Sequence, residues 1–113
     1  MSGSNQTSFI RFIFTITMQE TLYHIKQGYI VENIADQYVL VAPAVGDIDY
    51  SKMLVLSESA ALIVNRLLNE SLSFDNLVNL LLDEYEVERG LVTQELTELI
   101  AELERLNILE IPN

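Results

Sequence analysis

Apolar residues follow a two-residue period in the first half of the chain and a three-to-four-residue period in the second, so the elements change type near Ser57. Tyr29 to Ile34 sets Ile30, Glu32 and Ile34 on one face of a strand and Tyr29, Val31 and Asn33 on the other. Ala35, Asp36 and Gln37 make a short turn. Tyr38 to Ala42 is a second β-branched and aromatic run, ended by Pro43, which cannot donate to a ladder. These two runs predict a hairpin. Ala44 to Tyr50, with Gly46, Asp47 and Asp49, reads as a loop, and Lys52 to Leu56 predicts a third strand.

Ser57 is placed to cap a helix that carries Ala60, Ala61, Val64, Leu67 and Leu68 on one stripe and ends near Glu70. Ser73 or Asp75 caps a second, in which Phe74, Leu77, Val78, Leu81 and Tyr85 keep the i, i+3, i+4 spacing. In the third, Val92, Leu96, Leu99, Leu103 and Leu106 recur at steps of four and three, and Val87 is positioned for a staple to Val92. Asn107 suits the left-handed residue that ends a helix, and Ile108 to Ile111 follows as a short extended tail. The expected fold class is α+β: a three-stranded antiparallel sheet followed by three helices, with the parts of a winged helix-turn-helix.

Residues 1–17 are expected to stand apart as an N-terminal extension, with residues 18–113 forming one domain. The first eight are small and polar, while Phe9 to Met18 is a short apolar run interrupted by Arg11. It is too short to span a bilayer as a helix and lacks the small-residue cleavage site of an export signal. It reads as an added edge strand, as sequence upstream of a start at Met18, or as a segment lying in the protein's own binding groove. In the last case, deleting residues 1–17 should raise ligand affinity.

Composition then narrows the chemistry. The 113 residues suffice for one core, and cysteine is absent, which removes disulfides, thiol catalysis and thiolate metal sites. His24 is the single histidine, so no second imidazole completes a zinc site. The carboxylates Asp83, Glu84, Glu86 and Glu88, and Asp47 with Asp49, lack calcium-loop spacing and read as solvated. The four glycines match neither a P-loop nor a dinucleotide fingerprint, and Ser57 has no nucleophile-elbow setting. No catalytic residue, metal or cofactor is therefore expected.

The net charge is −11, and from Ser57 onward three Arg face 12 acids. Nucleic acid and anionic membranes are disfavoured partners, and a partner steered by charge should carry Lys or Arg. What remains is recognition through an open sheet edge flanked by apolar helices. A DNA-binding winged-helix regulator, and a purely structural dimerisation module in which a homodimer covers the edge, stand as the alternatives.

Met53-Leu-Val-Leu-Ser-Glu-Ser-Ala-Ala-Leu-Ile63, then Leu67-Leu68, Leu77 to Val87 with its Glu84-Tyr85-Glu86-Val87 ending, and the Leu99 to Leu109 run resemble, in order and spacing, the pyrroloquinoline quinone biosynthesis protein D family. Ser57 stands where Asn is usual, Val64 where an aromatic is common and Asn107 where Gly is frequent. The resemblance implies a cytoplasmic, non-catalytic recognition element for ribosomally synthesised, modified peptides. Such a domain would bind the leader segment of a precursor peptide as an added strand and present it to a modifying enzyme, often a radical SAM protein. Carried onto this chain, the implied edge is Lys52, Met53, Leu54, Val55 and Leu56, and the helix wall is Leu96, Leu99, Ile100 and Leu103. Strand alternation allows only Lys52, Leu54 and Leu56, or Met53 and Val55, to meet the guest's side chains.

Overall fold

The computed structural model describes residues 20–42 and 49–111. The expectations for residues 1–17, for Pro43 and for most of the Ala44–Tyr50 loop lie outside them. Strand β1 (Leu22–Ile25) turns at Gly28, whose φ of 98° requires glycine, into an antiparallel meander of β2 (Ile30–Ile34), β3 (Gln37–Ala42) and β4 (Asp49–Leu56). The sheet order is β2-β3-β4, which leaves β3 in the centre. β4 starts earlier than its apolar run suggests, so Asp49 and Tyr50, expected in the loop, belong to the strand. A register irregularity between Leu40 and Ala42 takes up the extra residues of β4.

Ile34 pairs with Gln37 across a two-residue turn in which Ala35 and Asp36 have φ of 51° and 65°. This is the hairpin geometry that matches strand twist, and it needs two consecutive left-handed residues. Alanine pays no compensation there, since its Cβ crowds the carbonyl at a cost of about 1–2 kcal/mol. Ala35→Asn is expected to stabilise the domain by about 0.5–1 kcal/mol, because asparagine tolerates this region without glycine's extra chain entropy. Thermal unfolding of the variant checks it, as an unchanged or lowered Tm would contradict the strain.

Three helices follow: α1 (Glu58–Asn69), α2 (Phe74–Glu84) and α3 (Arg89–Arg105). Ser57 Oγ accepts the Ala60 amide at 3.1 Å and starts α1. Ser73, rather than Asp75, caps α2 in a reciprocal box with Asn76, at 3.1 and 3.3 Å. Helix α3 ends in a Schellman motif: Asn107, at φ 59°, donates to the Glu104 carbonyl, and Ile108 donates to that of Leu103 at 2.9 Å. The motif folds Ile108 back onto Leu103, both buried, and aims the chain into β6 (Leu109–Glu110).

A second small sheet closes the base. β1 lies between β6 and β5 (Leu72–Ser73), with Ile25 opposite Leu109 and Leu22 opposite Ser73. The expected three strands and three helices are all present, and this sheet is added to them. The core joins Ile25, Leu40 and Leu56 to Ile63, Val64 and Leu67 of α1, Leu77, Val78 and Leu81 of α2, and Val92, Leu96, Ile100 and Leu103 of α3.

Candidate peptide-binding groove

β4 hydrogen-bonds to β3 on one side, and among the described residues no strand pairs with its other side. Which amides face that open side follows from the hairpin. In a two-residue turn the flanking pair, Ile34 and Gln37, exchanges both backbone hydrogen bonds, and alternation makes Glu32–Val39 and Ile30–Val41 the next such pairs. Tyr38 and Leu40 must then point their N–H and C=O groups at β4, toward Leu56 and Leu54. Val55, between these two, directs its N–H and C=O outward, and alternation gives Met53 the same direction.

The side chains divide correspondingly. Leu56 is buried and Leu54 is packed against the core, whereas Met53 and Val55, on the other face, are 45 % and 53 % exposed. Beside the open edge runs a groove of about 480 Å³ between β4 and α3. Leu54, Leu56, Ala60, Ile63, Leu81, Leu96 and Leu99 supply its apolar lining, and Ser57, Ser59, Glu95, Glu98 and Glu102 its polar one. A volume of this size suits a bound segment rather than a solvent-sized void. A smaller hollow of about 270 Å³ shares Ser57, Ser59, Leu81 and Glu95 with the groove and adds Glu58, Tyr85, Val87, Leu91 and Val92. Val87 and Val92, positioned in the sequence for a staple, both line this hollow, and Val87 stays 41 % exposed.

Of the residues expected at the site, Leu54, Val55, Leu56, Leu96 and Leu99 line the groove, with Met53 next to it on the outer face. Lys52 lies in β4. Ile100 and Leu103 do not line it: they are 7 % and 0 % exposed and belong to the core. The cause is helical phase. The stripe buried on α3 runs Val92, Leu96, Ile100, Leu103, which turns Leu99 partly out toward the groove. Residues not anticipated at the site are Ala60, Ile63 and Leu81 in its apolar lining, Ser57 and Ser59 at the start of α1, and the three glutamates of α3. The glutamates share one face of α3, a pattern visible in the sequence only once that face has a neighbour.

Electrostatics sharpen the picture. Arg105 donates to Glu102 through Nε at 3.1 Å, and this hydrogen bond holds the Glu102 carboxyl below its usual range. The same contact raises Arg105. Partial burial, followed by Glu58 and Glu84 and then Tyr38, raises the Tyr85 phenol. Among the described residues no lysine or arginine lines either hollow. His24 lies elsewhere, in a depression with Lys26, Tyr29 and Glu110, and its Nδ1 donates to the Ile25 carbonyl at 2.6 Å. Among the described residues no group of three or more His, Asp or Glu is close enough to hold a metal, and no helix is long and apolar enough to cross a membrane.

An antiparallel sheet with one unpaired edge against an apolar, acid-rimmed helical wall defines a small α+β domain of the peptide-groove type, with no cluster of reactive groups among the described residues of the groove. A model of the family described as Coenzyme PQQ synthesis protein D (PqqD) matches residues 37–109, and the chain belongs to that family. Among solved structures it is similar to one described as "TbiB1 in Complex with the TbiA(beta) Leader Peptide", at 22 % identity and a TM-score of 0.58, over 77 % of this chain and 94 % of that one. It is also similar to "Lasso peptide synthetase B1 complexed with the leader peptide", at 28 % identity and a TM-score of 0.56, over 80 % of this chain and 98 % of that one. No curated protein matches.

Proposed function

We propose that this protein is a non-catalytic adaptor that binds the leader segment of a ribosomally synthesised precursor peptide by strand addition to β4 and presents it to a modifying enzyme. The observation that carries the reading is the outward-facing main chain of Val55 beside the groove. A guest strand satisfies those groups, and its alternate side chains enter the apolar lining supplied by Leu54, Leu56, Leu96 and Leu99. Membership of the PqqD family, and the description of both similar structures as leader-peptide complexes, support the same assignment. Ile100 and Leu103 act from behind, by fixing the position of α3.

A radical SAM enzyme is the partner that the family resemblance implies. The lasso peptide synthetase named in one similar structure favours a second reading, in which the leader is handed to lasso-type processing machinery. Pull-down of each candidate enzyme with peptide-loaded protein separates the two.

Amide hydrogen exchange locates the guest. A peptide selected for binding from a random 20-residue display library should protect the Met53 and Val55 amides. The other open edge of the sheet supplies the control: by the same alternation, Val31 and Asn33 of β2 point outward. Protection there, with β4 unchanged, would rule out the proposed edge.

A further inference from the structure

The groove combines an apolar floor with a rim of one charge, and the three rim glutamates are not equivalent. Glu102 is already matched by Arg105. Glu95 and Glu98, both exposed, have no basic partner among the described residues, where the ion pairs are Arg66–Glu70 and Arg105–Glu102. Arg89 is turned away and donates to Asn79 at 3.2 Å. Two adjacent carboxylates thus overlook the groove without a counter-charge among the described residues.

Leu99 lies between them and the floor. It follows Glu95 by four residues, so the two are neighbours on the helix surface, and it is half-buried along the groove wall. A side chain with an apolar stem and a cationic tip fits this order from floor to rim: methylenes over Leu99, the charged head at the carboxylates. An aliphatic or aromatic side chain would fill the floor and leave both carboxylates unmatched. An acidic one would meet repulsion.

Resting on the peptide-binding assignment, we infer that the groove selects leader peptides carrying Arg or Lys at a groove-facing position, and that Glu95 and Glu98 are the specificity-determining residues. Glu95 and Glu98 are about 4.5 Å apart along the helix axis, less than the roughly 6.7 Å between same-face residues of a strand. One guanidinium or ammonium therefore serves both, and the next residues on that face of the guest pass beyond them onto the apolar lining.

The test is selection from a random 20-residue display library on the full-length chain at low salt, followed by affinity measurement of the best binder. Selected peptides should be enriched in Arg or Lys flanked at i±2 by apolar residues. The double variant Glu95→Gln/Glu98→Gln should weaken the best binder about tenfold, an effect that shrinks as salt is raised. Glu86→Gln/Glu104→Gln, which removes the same charge from exposed positions outside the groove, should change affinity less than about twofold. Equal affinity for wild type and Glu95→Gln/Glu98→Gln, in peptides that Val55→Pro still abolishes, overturns the charge selection and leaves peptide binding standing. Binders indifferent to Val55→Pro, or no binders at all, overturn both.

Discussion

Val55→Pro should lower affinity for a peptide selected on the wild-type protein by tenfold to hundredfold or more while the domain remains folded. Proline removes the outward N–H and puts a ring where the guest's carbonyl would approach. One net hydrogen bond is worth only about 0.5–1.5 kcal/mol, and tenfold in affinity corresponds to about 1.4 kcal/mol, so the steric block contributes the rest. Stability should change little, because Val55 is half-exposed and its amide does not bond to β3. Leu54→Pro, one residue away, should behave differently: its N–H faces Leu40, so the substitution cuts the β3–β4 ladder and lowers Tm as well. Fluorescence anisotropy and thermal unfolding of the two variants resolve this. Tight binding by folded Val55→Pro would remove the strand-addition mechanism.

Truncating Leu103 and Leu99 should have opposite consequences, although both were candidate wall residues. Leu103 is 0 % exposed and sits where the Schellman motif folds Ile108 back onto α3. Leu103→Ala should cost about 2–5 kcal/mol, a drop in Tm of roughly 10 °C or more, while the folded fraction binds peptide with nearly wild-type affinity. Leu99→Ala opens a partly solvated wall instead. It should cost about 1 kcal/mol of stability and weaken peptide binding about tenfold, as expected of a central apolar contact. Calorimetric titration at a temperature where both variants are folded gives the comparison. A large affinity loss in Leu103→Ala without loss of stability would return that residue to the groove.

Much of this architecture was legible in the sequence because it rests on local rules. Ser57, Ser73 and Asn107 each start or stop a helix with its own side chain or backbone angle, so the helix bounds follow from residue type. A turn over Ala35 to Gln37 is legible as punctuation between two β-branched runs, although Gln37 in fact opens β3 and nothing local announces two left-handed residues beginning with alanine. β1 and β5 are not legible in the sequence for a plain reason: strands of four and two residues carry too little alternation to register. The Ile108 to Ile111 tail was recognised as extended, but its pairing with Ile25 joins the two ends of the described chain.

The candidate site divides in the same way. The resemblance to the PqqD family brings β4 and α3 forward as the elements of interest, and the excess of acid points to a basic partner. The face each residue turns to the groove was decided by packing. Leu99 and Ile100 are adjacent and both apolar, and a helical stripe wide enough to include either becomes specific only when β6 and α2 press on one side of it. Sequence alone therefore determined the types of the longer elements, the helix caps and the sign of the charge, because these depend on neighbours within a few residues. The tertiary structure decided which sheet edge stays unpaired, which amides point outward from it and which glutamates overlook the groove, because these depend on register and helical phase between segments distant in the chain.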